Sequence, residues 1–459
     1  MVIKKNKKPN IVLITIDSLR GDYVNYENMP HLMDLIEKQG TAVFNAYTAG
    51  VPTYYAFPSI MCGVYTFKYG VNLGLKFCKK TIAEIFKKSG YKTLGFNAAN
   101  VYTSHFWGYE RGFYYFEDYL KGKKYKVWKS LTRGENLFSR IIKFGLSSLA
   151  KIRRYICIIY GEYSPGVSAK SLLQNVLTEI KKDYNTPFFL WIHLMDVHMP
   201  YSAKMKDLGF YDRAKRIWID NKVYDKLFKK VNRFLRSKPD RKPKEMLEKY
   251  INIMEEAKPY KEFLRFLYTK SIQVVDREVS TFIKQILYDF PNTYFLITSD
   301  HGEEFFDNVS YCHAPLFHND AVVRVPLMLI GDQLKNFSLP SVPISTVDIL
   351  PTLCELAGIN SPSELDGISV FSEKIKERKF VFTESLFAYE PFSSIVTQLK
   401  NPRFLISVHS KNSSTTILET IVAPMGSYNS RDLYIQALQR LRRIKEVQKI
   451  REFSYKIKN

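Results

Sequence analysis

Residues 10–18 read NIVLITIDS and residues 293–301 read TYFLITSDH. Each is a short apolar run, rich in β-branched or aromatic residues, that stops at an aspartate. A run without polar alternation marks a strand buried on both faces, the normal state of strands in a parallel sheet. Working outward, a helix is expected over His31–Gln39, closed by Gly40, and another over Thr81–Lys88, stopped at Gly90. Strands are expected at Lys92–Phe96, Pro187–Leu194 and Val325–Ile330, with helices at Ser168–Lys182 and Phe263–Tyr288. Such alternation predicts an α/β fold: a large, mostly parallel central sheet with helices on both faces.

The chain has 459 residues, 46% of them hydrophobic and 15% aromatic, which excludes a wholly disordered polymer. That length exceeds what one core usually supports, so one large domain with a smaller attachment is expected. Five cysteines, Cys62, Cys78, Cys157, Cys312 and Cys354, lack the paired spacing of a disulfide framework or a thiolate zinc site and suit a reducing compartment. The basic N-terminus runs into a short apolar stretch ending at Asp17, which reads as the first strand rather than a secretory leader. No uninterrupted run reaches the roughly 18–20 apolar residues of a membrane span. A cytoplasmic protein is the resulting expectation, with peripheral contact to the inner membrane face held open.

Lys and Arg number 68 against 45 Asp and Glu, a formal net charge of +23. The excess gathers in two stretches that interrupt the alternation, residues 120–160 and 201–261, both read as basic insertions or lid segments. Within the first, Ile141–Tyr160 sets Lys143, Lys151, Arg153 and Arg154 among apolar residues. A helix lying on an anionic membrane surface has that pattern, as does a core-packed helix with snorkelling cations. No nucleic-acid-binding module accompanies the charge, so a nucleic-acid partner is disfavoured. A small α+β subdomain is expected over 372–459, after a catalytic domain over 1–371. Its strands fall at Phe380–Glu384, Ser394–Gln398 and Arg403–Val408, and a basic helix follows from Arg431 to about Glu452.

Ligands of open α/β sheets gather at the carboxyl ends of strands. Asp17, Asp300 and His301 stand at two such ends, and carboxylate with imidazole suits a divalent cation. Alternatively, Asp17 caps a helix together with Ser18. His193 lies inside an apolar run and reads as a satisfied core residue.

The motifs together resemble a sulfatase-type member of the alkaline phosphatase superfamily. They are PNIVLITIDSLRGD (9–22), MPHLMDLIEKQGTAVFNAYTAG (29–50), PTYYAFPSIMCG (52–63), FFLWIHLMDVHMPY (188–201), TYFLITSDHGEE (293–304), VRVPLMLIG (323–331), ISTVDILPTLCELAGI (344–359) and LDGIS (365–369). The resemblance implies an alkaline phosphatase-like sandwich and an ester hydrolase or transferase with one divalent cation, Mn²⁺, Mg²⁺, Zn²⁺ or Ca²⁺. It places Asp17, Thr53, Asp300 and His301 on that metal. Sulfatases carry their nucleophile as Cys or Ser in C-x-P-x-R and convert it to formylglycine. Here the position is Thr53, and Phe57 stands where the Arg would be. Threonine resembles the phosphotransfer branch, such as lipoteichoic acid synthases and phosphoethanolamine transferases, in which a metal-activated Thr hydroxyl attacks phosphorus. Cys62 falls in the wrong context and reads as a small buried hydrophobe.

The same resemblance gives His198 a role in substrate-oxygen binding or leaving-group protonation. It assigns the third catalytic position to His313, with His318 in reserve. Asn97 and Asn100 stand where sulfatases place a Lys and a His on the sulfate, so both are expected at the substrate. The expected substrate is an anionic phosphate or sulfate ester, with phosphate preferred and a glycan or lipid link held open. A sulfatase without formylglycine, and a catalytically degenerate ligand- or glycan-binding protein, are the alternatives.

Overall fold

The computed structural model describes residues 8–69, 74–76, 78–120, 166–182, 186–201, 208, 210–227, 229–231, 233, 243–308, 310–314, 318–335, 337–378, 380–387, 403–410 and 416–422. Most of the insertion expected at 120–160, with the Ile141–Tyr160 stretch, lies outside them. So do the expected strand at 394–398 and the terminal basic helix.

In chain order the first half runs β1 (Asn10–Ile16), α1 (Pro30–Gln39), β2 (Gly40–Tyr47), α2 (Thr53–Cys62), α3 (Ile82–Lys88), β3 (Lys92–Asn97), β4 (Tyr115–Glu117), α4 (Ala169–Ile180) and β5 (Phe188–Leu194). The second half runs α5 (Phe210–Ile219), α6 (Pro243–Met254), α7 (Lys261–Asp289), β6 (Thr293–Thr298), β7 (Glu304–Phe305), β8 (Tyr311–Cys312), α8 (Asp320–Val323), β9 (Arg324–Ile330) and α9 (Ile349–Leu356). Strands β10 (Phe380–Phe387), β11 (Arg403–Ser410) and β12 (Thr416–Val422) form a separate antiparallel sheet. The 201–261 stretch is mostly helical where it is described, as expected, with α5 running on into a π-helix over Asp220–Leu227 and only Tyr201 and Leu208 outside a helix. Among the described residues no helix is long and apolar enough to cross a membrane.

Among the described residues the central sheet has seven strands in the order β2-β9-β6-β1-β5-β3-β4. β1 sits in the middle, parallel to β5 on one side and to β6 on the other. The single reversal is β9, antiparallel to both β6 and β2. Pro326 lies inside β9, where it has no N–H to give. Opposite it the register of β2 slips between Val43 and Ala46, so the partner strand bulges around the missing donor.

Alternation along β1 divides the core. Val12, Ile14 and Ile16 face the layer packed with α1, α4 and α7, while Ile11 and Leu13 face the layer of α2, α3 and α9. The same period of two continues through Thr15 to Asp17, which aims the first strand-end carboxylate toward the α2 side. The three-stranded sheet docks through β10 on the segment that leads into α2: Glu384 N–H donates to Ala49 O (2.9 Å) and Val51 N–H to Glu384 O (3.3 Å).

Candidate active site

Loops at the carboxyl ends of β1 and β6 and the first turn of α2 meet at one point. Asp17, Asp300 and His301 are fully buried, and one donor atom from each lies within 4.8 Å of the others. Thr53, the first residue of α2, brings Oγ1 to 3.2 Å from His301 Nε2. The four residues assigned to a metal by resemblance are thus gathered by the fold.

The surrounding hydrogen bonds leave the right atoms free. His301 Nδ1–H donates to Gly302 O (2.9 Å), which leaves the Nε2 lone pair facing inward. Asp300 Oδ1 accepts from the backbone N–H groups of Ser18 (3.2 Å) and His301 (3.0 Å), while Oδ2 is buried without a hydrogen-bond donor. Asp17 Oδ1 accepts from Ser18 Oγ–H (2.9 Å). Burial pushes the Asp17 carboxyl up, but the charge of His198, the hydrogen bond from His193 and the charge of His301 overcome it and hold Asp17 below the usual carboxylate range. An ionised carboxylate, an unpartnered carboxylate oxygen and an imidazole with its lone pair inward make a donor set that fits a divalent cation.

The histidines sort themselves by contact. His313 stacks on His301 with ring centroids 4.3 Å apart and meets His198 edge-on at 5.1 Å. His198 donates from Nδ1 to Met199 O, leaving Nε2 for a ligand. Burial, followed by the charge of His198, lowers His313 to about 4. His318 is elsewhere: its Nε2 meets Ser385 Oγ on β10, and burial lowers it to about 3. Among the described residues His318 is thus held against the second sheet rather than in the His301–His313–His198 contact group.

Both asparagines expected at the substrate are occupied behind the site. Asn97 donates to Asn100 O (2.7 Å) and Thr103 O (3.0 Å) and accepts from Asn100 N–H (2.9 Å), so its amide is consumed in shaping its own loop. Asn100 Nδ2–H donates to Asp17 Oδ2 (2.9 Å), supporting a metal-side carboxylate rather than a ligand. His193 is a buried, hydrogen-bonded core residue that also borders the site: its Nε2 lies 3.4 Å from Asp17 Oδ2 and its Nδ1 3.0 Å from Thr15 Oγ1. The signal for it was positional, since β5 runs beside β1 with His193 opposite Thr15. Phe57, where an Arg was missing, packs edge-on against the His193 ring at 4.7 Å. Cys62 is buried as expected, and burial raises its thiol well above the usual range.

Glu303 was not singled out by sequence. It is fully buried, its Oε1 lies 3.2 Å from His313 Nδ1, and burial raises it to about 8 against the pull of His198 and His301.

A sequence model of the family described as Sulfatase matches residues 9–359. An arylsulfatase of Clostridium perfringens is 25% identical over 442 residues, spanning 87% of this chain and 85% of its own length. Among solved structures, a phosphonate monoester hydrolase from Silicibacter pomeroyi superposes with a TM-score of 0.55 at 16% identity, covering 95% of each chain. A structure solved in complex with its substrate D-glucosamine-2-N,6-O-disulfate superposes with a TM-score of 0.55 at 15% identity, covering 97% of this chain and 98% of its own. These two likenesses establish the alkaline phosphatase-like fold.

Proposed function

The chain belongs to the sulfatase family and is a hydrolase of sulfate or phosphate esters; within that class we propose that it is a metal-dependent phosphoesterase working through Thr53. The observation that carries this reading is the Thr53 hydroxyl, 3.2 Å from His301 Nε2 at the edge of the Asp17–Asp300–His301 cluster.

Asp17, Asp300, His301 and the Thr53 hydroxyl would hold one divalent cation. Such a cation supplies Lewis acidity, making a neighbouring hydroxyl more nucleophilic and offsetting charge on the ester oxygens. Thr53 Oγ would lose its proton to solvent water and form a bond to phosphorus as the bond to the leaving alkoxide breaks. His198 Nε2–H, beside His313, is placed to protonate the departing oxygen. Water, or an acceptor alcohol, then attacks the phosphothreonine and releases Thr53. Threonine favours phosphorus over sulfur here because conversion to formylglycine starts from Cys or Ser, and Phe57 removes the cation that would hold a sulfate. A degenerate binding protein is disfavoured by the survival of all four residues in one cluster.

A panel of chromogenic phosphate mono- and diesters and sulfate esters, assayed with added Mn²⁺, Mg²⁺ or Zn²⁺, tests the proposal. Turnover of phosphate esters is expected, and turnover of sulfate esters alone would sink it. Glycan- and lipid-linked phosphoesters are the natural substrates to try next.

A further inference from the structure

Beyond the Asp300–His301 pair the chain makes a small hairpin. Strands β7 and β8 pair antiparallel with Glu304 opposite Cys312, which returns the chain to its own starting point. The turn back brings Cys312 and His313 against Glu303, and one donor atom from each of these three lies within 4.8 Å of the others. Glu303 and Cys312 are buried, and the His313 side chain is 12% exposed.

A glutamate–histidine pair alone leaves this group incomplete. Oε1 of Glu303 faces His313 Nδ1 at 3.2 Å and the Cys312 thiol hydrogen-bonds the same carboxyl group, but Oε2 is sealed from solvent with no hydrogen-bond partner among the described residues. A fully buried carboxylate oxygen left in that state is the kind of polar atom that needs an occupant. On the other side, Cys312 Sγ lies 2.9 Å from Met199 Sδ, so a second sulfur borders the group.

We propose that Glu303, Cys312 and His313 form a second cation site, distinct from the Asp17–Asp300–His301 site, and that it takes a zinc-class ion. Carboxylate oxygen, thiolate sulfur and imidazole nitrogen together select zinc, whereas Mg²⁺ and Ca²⁺ take oxygen ligands and leave thiolates alone. On binding, Cys312 loses its thiol proton and the Glu303–His313 hydrogen bond loses the proton it shares, both to solvent, and the ion takes their place. His313 stacks on His301, so the two sites stand one imidazole layer apart. With Nδ1 committed to the second ion, His313 keeps its other ring nitrogen for the ester.

The full-length protein, stripped with a chelator, reloaded with Zn²⁺ and freed of excess, is expected to hold two ions per chain. Reloading with Co²⁺ gives a sulfur-to-cobalt charge-transfer band in the near ultraviolet. Cys312→Ser removes the band and one of the two ions; Asp300→Asn removes one ion and keeps the band. Zinc X-ray absorption of the wild type shows a sulfur neighbour at about 2.3 Å, which decides the matter even where a variant does not fold. One ion per chain with no sulfur signal overturns the second site and leaves the first standing. One ion with the sulfur signal does the reverse.

Discussion

Asp300 and Asp348 are both fully buried, and the fold treats them in opposite ways. Asp348 has two partners on each oxygen. Arg378 Nη2–H donates to Oδ1 (2.8 Å) and Nη1–H to Oδ2, while backbone N–H groups of Ile368 (2.8 Å) and Ser345 (2.9 Å) fill the remaining lone pairs. Arg20 is handled similarly, its guanidinium spread over Asp22, Asp307 and the Glu303 carbonyl. Asp300 has two backbone donors on Oδ1 and no donor on Oδ2. Buried charges that are fully met act as braces, and breaking one exposes its partner to the full cost of desolvation. A buried charge left half-met is a binding site held ready. Between these two equally buried aspartates, polar satisfaction is what separates the brace from the candidate ligand.

Substitutions on the two sides should therefore have opposite consequences. Thr53→Ala removes the nucleophile and is expected to cost on the order of 10⁴-fold in turnover with little change in thermal stability; an unchanged rate would dissolve the assignment. Arg378→Ala strands Asp348 and is expected to lower unfolding free energy by about 3 kcal/mol in denaturant titrations. Its kcat/KM should hold at temperatures where the variant is folded. A variant of wild-type stability would show that Asp348 is no brace.

Asn100→Ala lies between the two classes, because it removes the donor behind Asp17. Metal affinity should fall roughly 10–100-fold while the fold persists, as isothermal titration would read. The smallest effect is expected at His318. Burial depresses it from 6.5 to about 3, so the unfolded chain binds its proton more readily and folding stability falls as pH drops from 6.5 toward 3. His318→Gln should make that acid-side decline shallower, measured as midpoint against pH; an equal slope in both proteins would remove His318 from the account.

Much of this contrast was legible before any coordinates. Strands β1, β5 and β6 announce themselves as apolar runs without alternation, and Asp17 and Asp300 are conspicuous as the acids that end two of them. The direction of β9 was not legible, because a fully buried strand reads the same whichever way it points and only pairing fixes it. His193 was passed over for a related reason: its neighbours in sequence are all apolar, and its polar surroundings come from Thr15 and Asp17 on the adjacent strand. A resemblance places Asn97 and Asn100 at the substrate, but it says nothing of the hydrogen bonds they make to their own loop and to Asp17. His313 and His318 are five residues apart on one connection, and only the β7–β8 hairpin separates the one that reaches His301 from the one that turns to β10. Glu303 stood in plain view beside His301, but the return of Cys312 and His313 is a property of the hairpin, not of spacing.

The position of β1 at the middle of the sheet has a consequence for the chain as it is made. Its two neighbours, β5 and β6, are encoded far downstream, and Ser18 lies 282 residues before the Asp300 it binds. At usual rates of synthesis that separation is on the order of 15–60 s between the emergence of one half of the site and the other. Until β5 is made the apolar strand NIVLITI has neither of its neighbours, and until β6 follows it has one. Segments that must meet for the chemistry thus leave the ribosome far apart in time, and chaperone capture of β1 would be most useful in that interval.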